Sequence, residues 1–330
     1  MTDQYLRKAS LIIGEKAGDA LDLSDLRFAF DVKRGDSQTP NSAHIRVFNM
    51  SPDTMTRVQK EFKRVVIQAG YKGNYGLIFD GTVVQTRRGR ESALDTKLEI
   101  TAADGDAAYN FAVVNTTLAA GSTAQDHFDA VAKSMVRYGV GVGYTAGLQS
   151  NPLPRGKAIF GMARNFMRGV ARATQTTWSI QDGQIVVIPE TSYMPGTIPV
   201  INADTGMLGM PTQTQNGISV KVLLNPNIKI GTLVQLDNAA IQLSEQSLAR
   251  SGAKPDAKPS GEGVQKSRLV SNELYYVAVA EHHGDTQGDN WYTELTCLAA
   301  DPTVIRSSAL LNRPMFSAVE PAPNAVKSHG

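Results

Sequence analysis

Residues 217–238, GISVKVLLNPNIKIGTLVQLDN, constrain the fold more than any other stretch of the chain. Ile218, Val220 and Val222 alternate with Ser219 and Lys221, the two-residue period of a strand with one buried face. Asn225-Pro226-Asn227 marks a turn, because proline fixes φ and asparagine tolerates the left-handed region. Gly231 opens a second run, Thr232-Leu233-Val234-Gln235-Leu236, and Asp237-Asn238 ends it with a further turn signal. The pattern predicts a strand, a sharp corner and a strand returning, the core of a small β-barrel or sandwich. It carries no chemistry; it reads as wall.

The same period governs the first hundred residues. Leu26, Phe28, Phe30 and Val32 alternate with Arg27, Ala29, Asp31 and Lys33, and after turn residues at 34–36 and 39–41, Ala43, Ile45 and Val47 resume the alternation. Ser51-Pro52-Asp53 is a helix start: serine caps the orphan amides, proline is preset for the first helical position, and aspartate complements the dipole. Met55, Val58 and Phe62 give this helix an inward stripe, before further strands at Val65-Val66-Ile67, Leu77-Ile78-Phe79 and Leu98 to Ala102. Arg87-Arg88-Gly89-Arg90 reads as a polar hairpin.

After Asp104-Gly105-Asp106 the period changes. Ser122-Thr123 begins a helix with Ala124, Phe128, Val131, Ala132 and Met135 on one face. Residues 139–147, GVGVGYTAG, read as a glycine-rich connector, and a second helix is expected from near Lys157, with Ile159, Met162, Ala163, Phe166, Met167 and Val170 inward. Trp178-Ser179-Ile180, the turn at Asp182-Gly183 and residues 185–188 make a hairpin. In the third region, residues 245–268 are polar and turn-rich, an exposed loop. Beyond it, Tyr275 to Val279 and Trp291 to Leu295 are strands joined across HHGDTQGDN, and from Pro302 the chain reads as an extended tail. No internal repeat is visible. The resulting fold is mainly β with an α+β insertion: a first barrel (1–108), a peripheral α/β module (109–192), a second barrel (193–300) interrupted at 245–268, and a C-terminal tail (301–330).

Composition narrows the function. A length of 330 residues allows two or three domains with proper cores. The balance of 33 basic against 31 acidic residues leaves +2, too little for a dedicated nucleic-acid binder. Cys297 is the single cysteine, so no intrachain disulfide forms and folding suits a reducing cytoplasm. No secretion signal or membrane span is evident.

Three constellations invite a chemical reading. His282-His283 beside Glu281 and Asp285 suggests a metal, but neighbouring strand residues point to opposite faces, and a solvated hairpin accounts for them better. Gly139, Gly141 and Gly143 resemble a dinucleotide loop, but follow a helix rather than a strand. Arg164, Arg168 and Arg172 form a basic stripe, read as a solvated outer face, with a salt-linked partner contact as the alternative. No GxSxG, no HExxH helix and no nucleophile–base spacing occurs. The reading is therefore of a protein with no catalytic, cofactor or metal residues. Leu310, Leu311, Met315 and Phe316 are apolar anchors in the tail, suited to docking on another copy or a partner.

The runs SAHIRVFNMSPDT, VVIQAGYKGNYGLIFDGTV, GMARNFMRGVARATQTTWSIQDGQIVVIP, TGMLGMPTQTQNGISVKVLLNPNIKIGTLVQL and YYVAVAEHHGDTQGDNWYTELTC occur in this order over about residues 5 to 300. They resemble the central baseplate hub proteins of contractile-tailed bacteriophages, a family related in fold to the hub portion of type VI secretion spike proteins. The resemblance implies two tube-type barrels per chain and a homotrimer that presents a pseudo-sixfold ring. Such a ring adapts the six-fold tail tube to a three-fold spike in the virion, with DNA only passing through its lumen. The implied partners are further copies, the tail tube protein, the spike and other baseplate proteins. The competing reading is a phage-associated cell-wall hydrolase or carbohydrate-binding protein on a β-rich scaffold, which would need a concave site with convergent acidic and aromatic residues.

Overall fold

A computed structural model describes residues 6–15, 18–36, 38–148, 150–190, 192–214, 217–236 and 274–300. The loop 245–268, the tail 301–330 and its anchors Leu310, Leu311, Met315 and Phe316 lie outside the described residues.

The chain is mainly β with few helices. Strands β1 (Arg7–Gly14), β2 (Ala20–Asp22), β3 (Phe28–Gly35) and β4 (Ser42–Phe48) lead into helix α1 (Pro52–Lys60). Ser51 Oγ accepts from the Thr54 amide at 3.2 Å, and Met55 and Val58 are buried, so the cap and stripe read from the sequence start this helix; such a cap contributes about 1 kcal/mol. Strands β5 (Arg64–Tyr71), β6 (Asn74–Arg90) and β7 (Thr96–Ala103) follow. Arg87 to Arg90 are thus the end of a 17-residue strand rather than a hairpin turn.

The inserted module contains α2 (Asp106–Phe111), β8 (Val113–Leu118), α3 (Ala124–Val136), β9 (Gly141–Thr145), β10 (Lys157–Met162), α4 (Ala163–Ala173), β11 (Thr176–Gln181) and β12 (Gln184–Pro189). Thr123 and Asp126 cap α3 reciprocally. Two expectations are corrected here. The glycine run is no loose connector: β9 pairs in parallel with β12, and Val140 is buried. The segment from Lys157 is a strand paired with β8, and the helix starts only at Ala163. Ile159, buried beside exposed Phe160, fits a helical and an alternating pattern alike, which is why the period misled.

The last strands are β13 (Val200–Ile201), β14 (Thr212–Thr214), β15 (Gly217–Leu223), β16 (Leu233–Leu236), β17 (Leu274–Asp285) and β18 (Trp291–Ala299). β15 and β16 do not form the returning pair that residues 217–238 suggested. β15 pairs with β14 and β18, whereas β16 pairs with β17 and β13. The connection buries Ile228 and Ile230 as it crosses, so Asn225-Pro226-Asn227 starts a crossover and not a hairpin.

Thirteen strands form one sheet in the order β14-β15-β18-β17-β3-β4-β7-β6-β5-β1-β2, with β16 and β13 branching from β17. Among the described strands no ladder joins the two ends of this path, so the two separate closed barrels expected from the sequence are replaced by one continuous sheet. The cause is the length of β17. Its first residues pair with β16 and residues 279–285 pair with β3, on the same edge. The sheet nonetheless curls: Trp291 Nε1 donates to the Gly70 carbonyl at 3.2 Å, and Trp291 packs edge-on to Phe30 in the core shared by β1 and β3 to β7.

A repeat emerges that the sequence hides. The order β3-β4-β7-β6-β5 recurs as β14-β15-β18-β17-β16, every pair antiparallel in both. In the first unit α1 links the second and third strands in chain order; in the second unit the crossover takes its place.

Candidate functional site

The most concentrated chemistry lies where the module's β11–β12 turn enters the sheet. All six residues of β11 are buried, so the turn that follows is driven against β3, β6 and the crossover. Arg34, 4% exposed, pairs with Asp182 at 3.0 Å and donates to the Ile78 carbonyl and to Gln181 Oε1. Lys229 reaches Asp182 from the crossover at 3.3 Å. Asn41 Nδ2 donates to the Ile180 carbonyl and to Gln181 Oε1, and Gln181 Nε2 donates to the Gly35 carbonyl. The Gly183 amide donates to Asp104 at 2.9 Å, and Tyr276 donates its hydroxyl proton to Asp36. Two glycines permit the approach. Gly105 (φ 67°) and Gly231 (φ 84°) sit where an added Cβ would lie 2.8 Å from Ile180 and 2.5 Å from Ile188.

The electrostatics are those of a structural junction. Burial opposes ionisation of Asp182, but the charges of Arg34 and Lys229 outweigh it and hold the carboxyl below its ordinary value. Asp104 is pushed up to about 6, mainly by burial. His282, wholly enclosed, is pushed down to about 3, mainly by burial, and its Nδ1 lies 2.8 Å from Thr293 Oγ1. It is a neutral, satisfied core histidine. His283 faces the other way, 2.7 Å from Asp31. The solvated hairpin expected at His282-His283 is therefore corrected: both lie within β17, paired on each side by β3 and β18.

The basic stripe is drawn into the chain's own structure. Arg164 donates to the Tyr109 carbonyl at 2.9 Å and lies 5.1 Å over its ring, while Arg168 Nε donates to Gln38 of the β3–β4 loop at 2.7 Å. Arg172 is exposed. Two of the three thus tie α4 to α2 and to the sheet. Sequence reasoning took Arg34, Asp36, Asn41, Asp104 and Asp182 for turn markers; the available clue was that a polar turn followed a strand with no exposed face.

A cleft of about 300 Å³ opens between α3 and α4, lined by His127, Ser150, Asn151, Lys157, Phe166 and their neighbours. No carboxylate is among its lining residues, so it offers no acidic sugar clamp. Burial and the nearby Lys157 charge lower the His127 value. Cys297 is pushed up to about 12 by complete burial and is inert as a nucleophile. No group of three or more His, Cys, Asp or Glu side chains among the described residues is placed to hold a metal ion, and no described helix is long and apolar enough to cross a membrane.

The fold has known counterparts. The chain is similar to the 43 kDa tail protein of prophage MuSo2 from Shewanella oneidensis, with a TM-score of 0.57 and 9% identity over 90% of this chain and 98% of that one. A tail protein from Neisseria meningitidis MC58 is similar at TM-score 0.54 and 9% identity, over 89% and 96%. At these identities the likeness is one of fold. The E. coli c3393 protein, a type VI secretion component with structural similarity to T4 bacteriophage tail proteins gp27 and gp5, is similar at TM-score 0.48 and 9% identity, over 87% and 76%. No curated protein matches the sequence. The model of the family described as baseplate hub gp41 matches residues 25–240, from just before β3 through the module to just past β16 and well over half of the chain. The chain belongs to the baseplate hub gp41 family.

Proposed function

We propose that the protein is the central hub of a contractile-tail baseplate, in which three copies make a ring that adapts the six-fold tail tube to a three-fold spike. The observation that carries this reading is the repeated five-strand order. A chain with two like units presents six of them when three copies close a ring, while retaining three-fold symmetry for everything else attached to it. The lumen passes DNA in transit, and the near-neutral total of +2 suits a channel that releases phosphate rather than holding it. The protein acts by assembly and not by catalysis, as a component of the virion, with tube, spike and other baseplate proteins as its neighbours.

In this reading residues 1–108 and 193–300 supply the two units and residues 109–192 stand at the periphery, held by the junction around Arg34. The tail 301–330 docks on a neighbouring copy or the spike through Leu310, Leu311, Met315 and Phe316. Arg172, and the outward parts of Arg164 and Arg168, face solvent or a baseplate neighbour. Native mass spectrometry of the purified chain and of the chain mixed with its tube and spike proteins tests the proposal. A three-copy species that binds both supports it. A chain that stays single alone and in isolated tails overturns it.

A further inference from the structure

We infer that neighbouring copies join by a strand pair: the half of β6 beyond Thr82 adds antiparallel to β14 of the next copy, with Gly89 opposite Thr212 and Arg88 opposite Gln213. The inference rests on the ring reading above and adds which edges meet and in what register.

The argument comes from superimposing the two units rung by rung. In the first unit one rung runs Gln85–Thr101–His44–Asp31 across β6, β7, β4 and β3. In the second the corresponding rung runs Val279–Thr296–Ser219–Thr212 across β17, β18, β15 and β14. The match is fixed by a shared irregularity. Each ladder skips one residue just before this rung, Val84 in β6 and Ala278 in β17. It is fixed again one residue earlier: the Val83 amide donates to the Lys63 carbonyl at 2.8 Å, and the Val277 amide to the Thr232 carbonyl at 3.0 Å. β6 therefore corresponds to β17, and β14 to β3.

Within one chain these elements already show how units join. β17 takes β16 along its first residues and then, on the same edge, β3 of the other unit, with His283 opposite Asp31. The skipped residue seals the contact, because the Ala278 carbonyl accepts the Asp36 amide at 2.8 Å and Ala278 is 4% exposed. β6 likewise takes β5 along residues 74–82. Among the described strands its edge beyond Thr82 then has no neighbour, and Val84 is 55% exposed. A long exposed edge with an apolar bulge is a template for pairing unless another strand covers it. Applying the β17–β3 register, four residues beyond the shared rung, sets Gly89 against Thr212. Among the described strands β14 ends the path of the sheet, as β3 would if β17 were removed. Each unit then offers its β6-type edge to the next unit's β3-type strand, a head-to-tail contact that repeats around a ring and closes it.

Cysteine pairs test the register in the full chain, since Cys297 is fully buried and does not compete. One variant carries Gly89→Cys with Thr212→Cys, a second Arg88→Cys with Gln213→Cys. A control carries Gln85→Cys with Thr212→Cys, four residues, or roughly 13 Å, out of register. A disulfide needs Cα atoms about 4.4–6.8 Å apart, and successive rungs of an antiparallel pair alternate in spacing. At least one in-register variant is therefore expected to oxidise into linked species ending at three chains, while the control stays single on a non-reducing gel. An oligomer seen by native mass with neither in-register link, or with the control linking equally well, overturns the edge assignment and leaves the ring. Specific links that continue past three chains support the strand pair and overturn the three-copy ring. Single chains by both measurements at high concentration overturn both.

Discussion

The two five-strand units share a plan and differ in what surrounds the same edge. In the second unit the edge of β17 beyond its bulge is covered by β3, and Ala278 and His282 are 4% and 1% exposed. In the first unit the corresponding positions of β6, Val84 and Arg88, are both exposed. Residues at equivalent places have diverged to suit: a histidine satisfied by Thr293 where the strand is enclosed, an arginine where it is open. Position in the repeat fixes the backbone, and the neighbour decides the side chain.

The largest expected effect separates the units at their hairpin ends. Trp291 and Thr96 occupy equivalent rungs, opposite Gly284 and Arg90, but Trp291 is 3% exposed in the core. Trp291→Ala should cost about 3–5 kcal/mol in urea unfolding, and Thr96→Ala only a few tenths. Equal losses would show that the two hairpins are not differently loaded. Next, Arg34→Ala leaves Asp182 with Lys229 alone and should cost about 3 kcal/mol. Loss of protection in hydrogen exchange should then centre on the β11–β12 turn rather than on β6 and β7.

Acid sharpens the comparison further. His282 has a folded value near 3, below its ordinary 6.5, so the stability tied to its neutral form is present above pH 6.5 and is lost as pH falls. Asp104 has a folded value near 6, above its ordinary 3.8, so the folded state takes up its proton first and gains stability as pH falls from 6 towards 4. Between pH 7 and 4 the effect amounts to about 3 kcal/mol for His282 and about 2 kcal/mol for Asp104, with opposite sign. Relative to wild type, His282→Gln should therefore gain about 3 kcal/mol on acidification and Asp104→Asn should lose about 2 kcal/mol. Parallel stability curves for both variants and wild type would refute the assignment. Smallest of all is Val84→Asp. It should change the stability of the single chain by less than about 0.5 kcal/mol, while Ala278→Asp at the equivalent, enclosed position should prevent folding.

Much of the fold is readable where one face of a strand is buried. β3, β4 and β15 show their alternation plainly, and Ser51-Pro52-Asp53 announces α1. The reading fails where partners lie far away in sequence. GVGVG has no visible strand signal, and only β12 supplying a parallel neighbour makes it β9. HHGDTQGDN looks like a loop because histidine and aspartate are polar, yet Thr293 and Asp31 satisfy the two histidines inside the sheet. The repeat is invisible because its equivalences, such as Arg87 with Glu281 or Thr96 with Trp291, conserve ladder position and not chemistry. The candidate junction was present in the sequence as turn residues, and burial alone distinguishes a turn that faces water from one that locks two layers.

The shared strand β17 also has a mechanical meaning. Because β3 lies beside it over residues 279–285, a pull along the strand loads every rung of that contact together, in shear, whereas a pull across it would open the rungs one after another like a zipper. The two units are thus coupled stiffly along the direction of β17 and compliantly across it. This directional stiffness between the two units is set by the length of one strand.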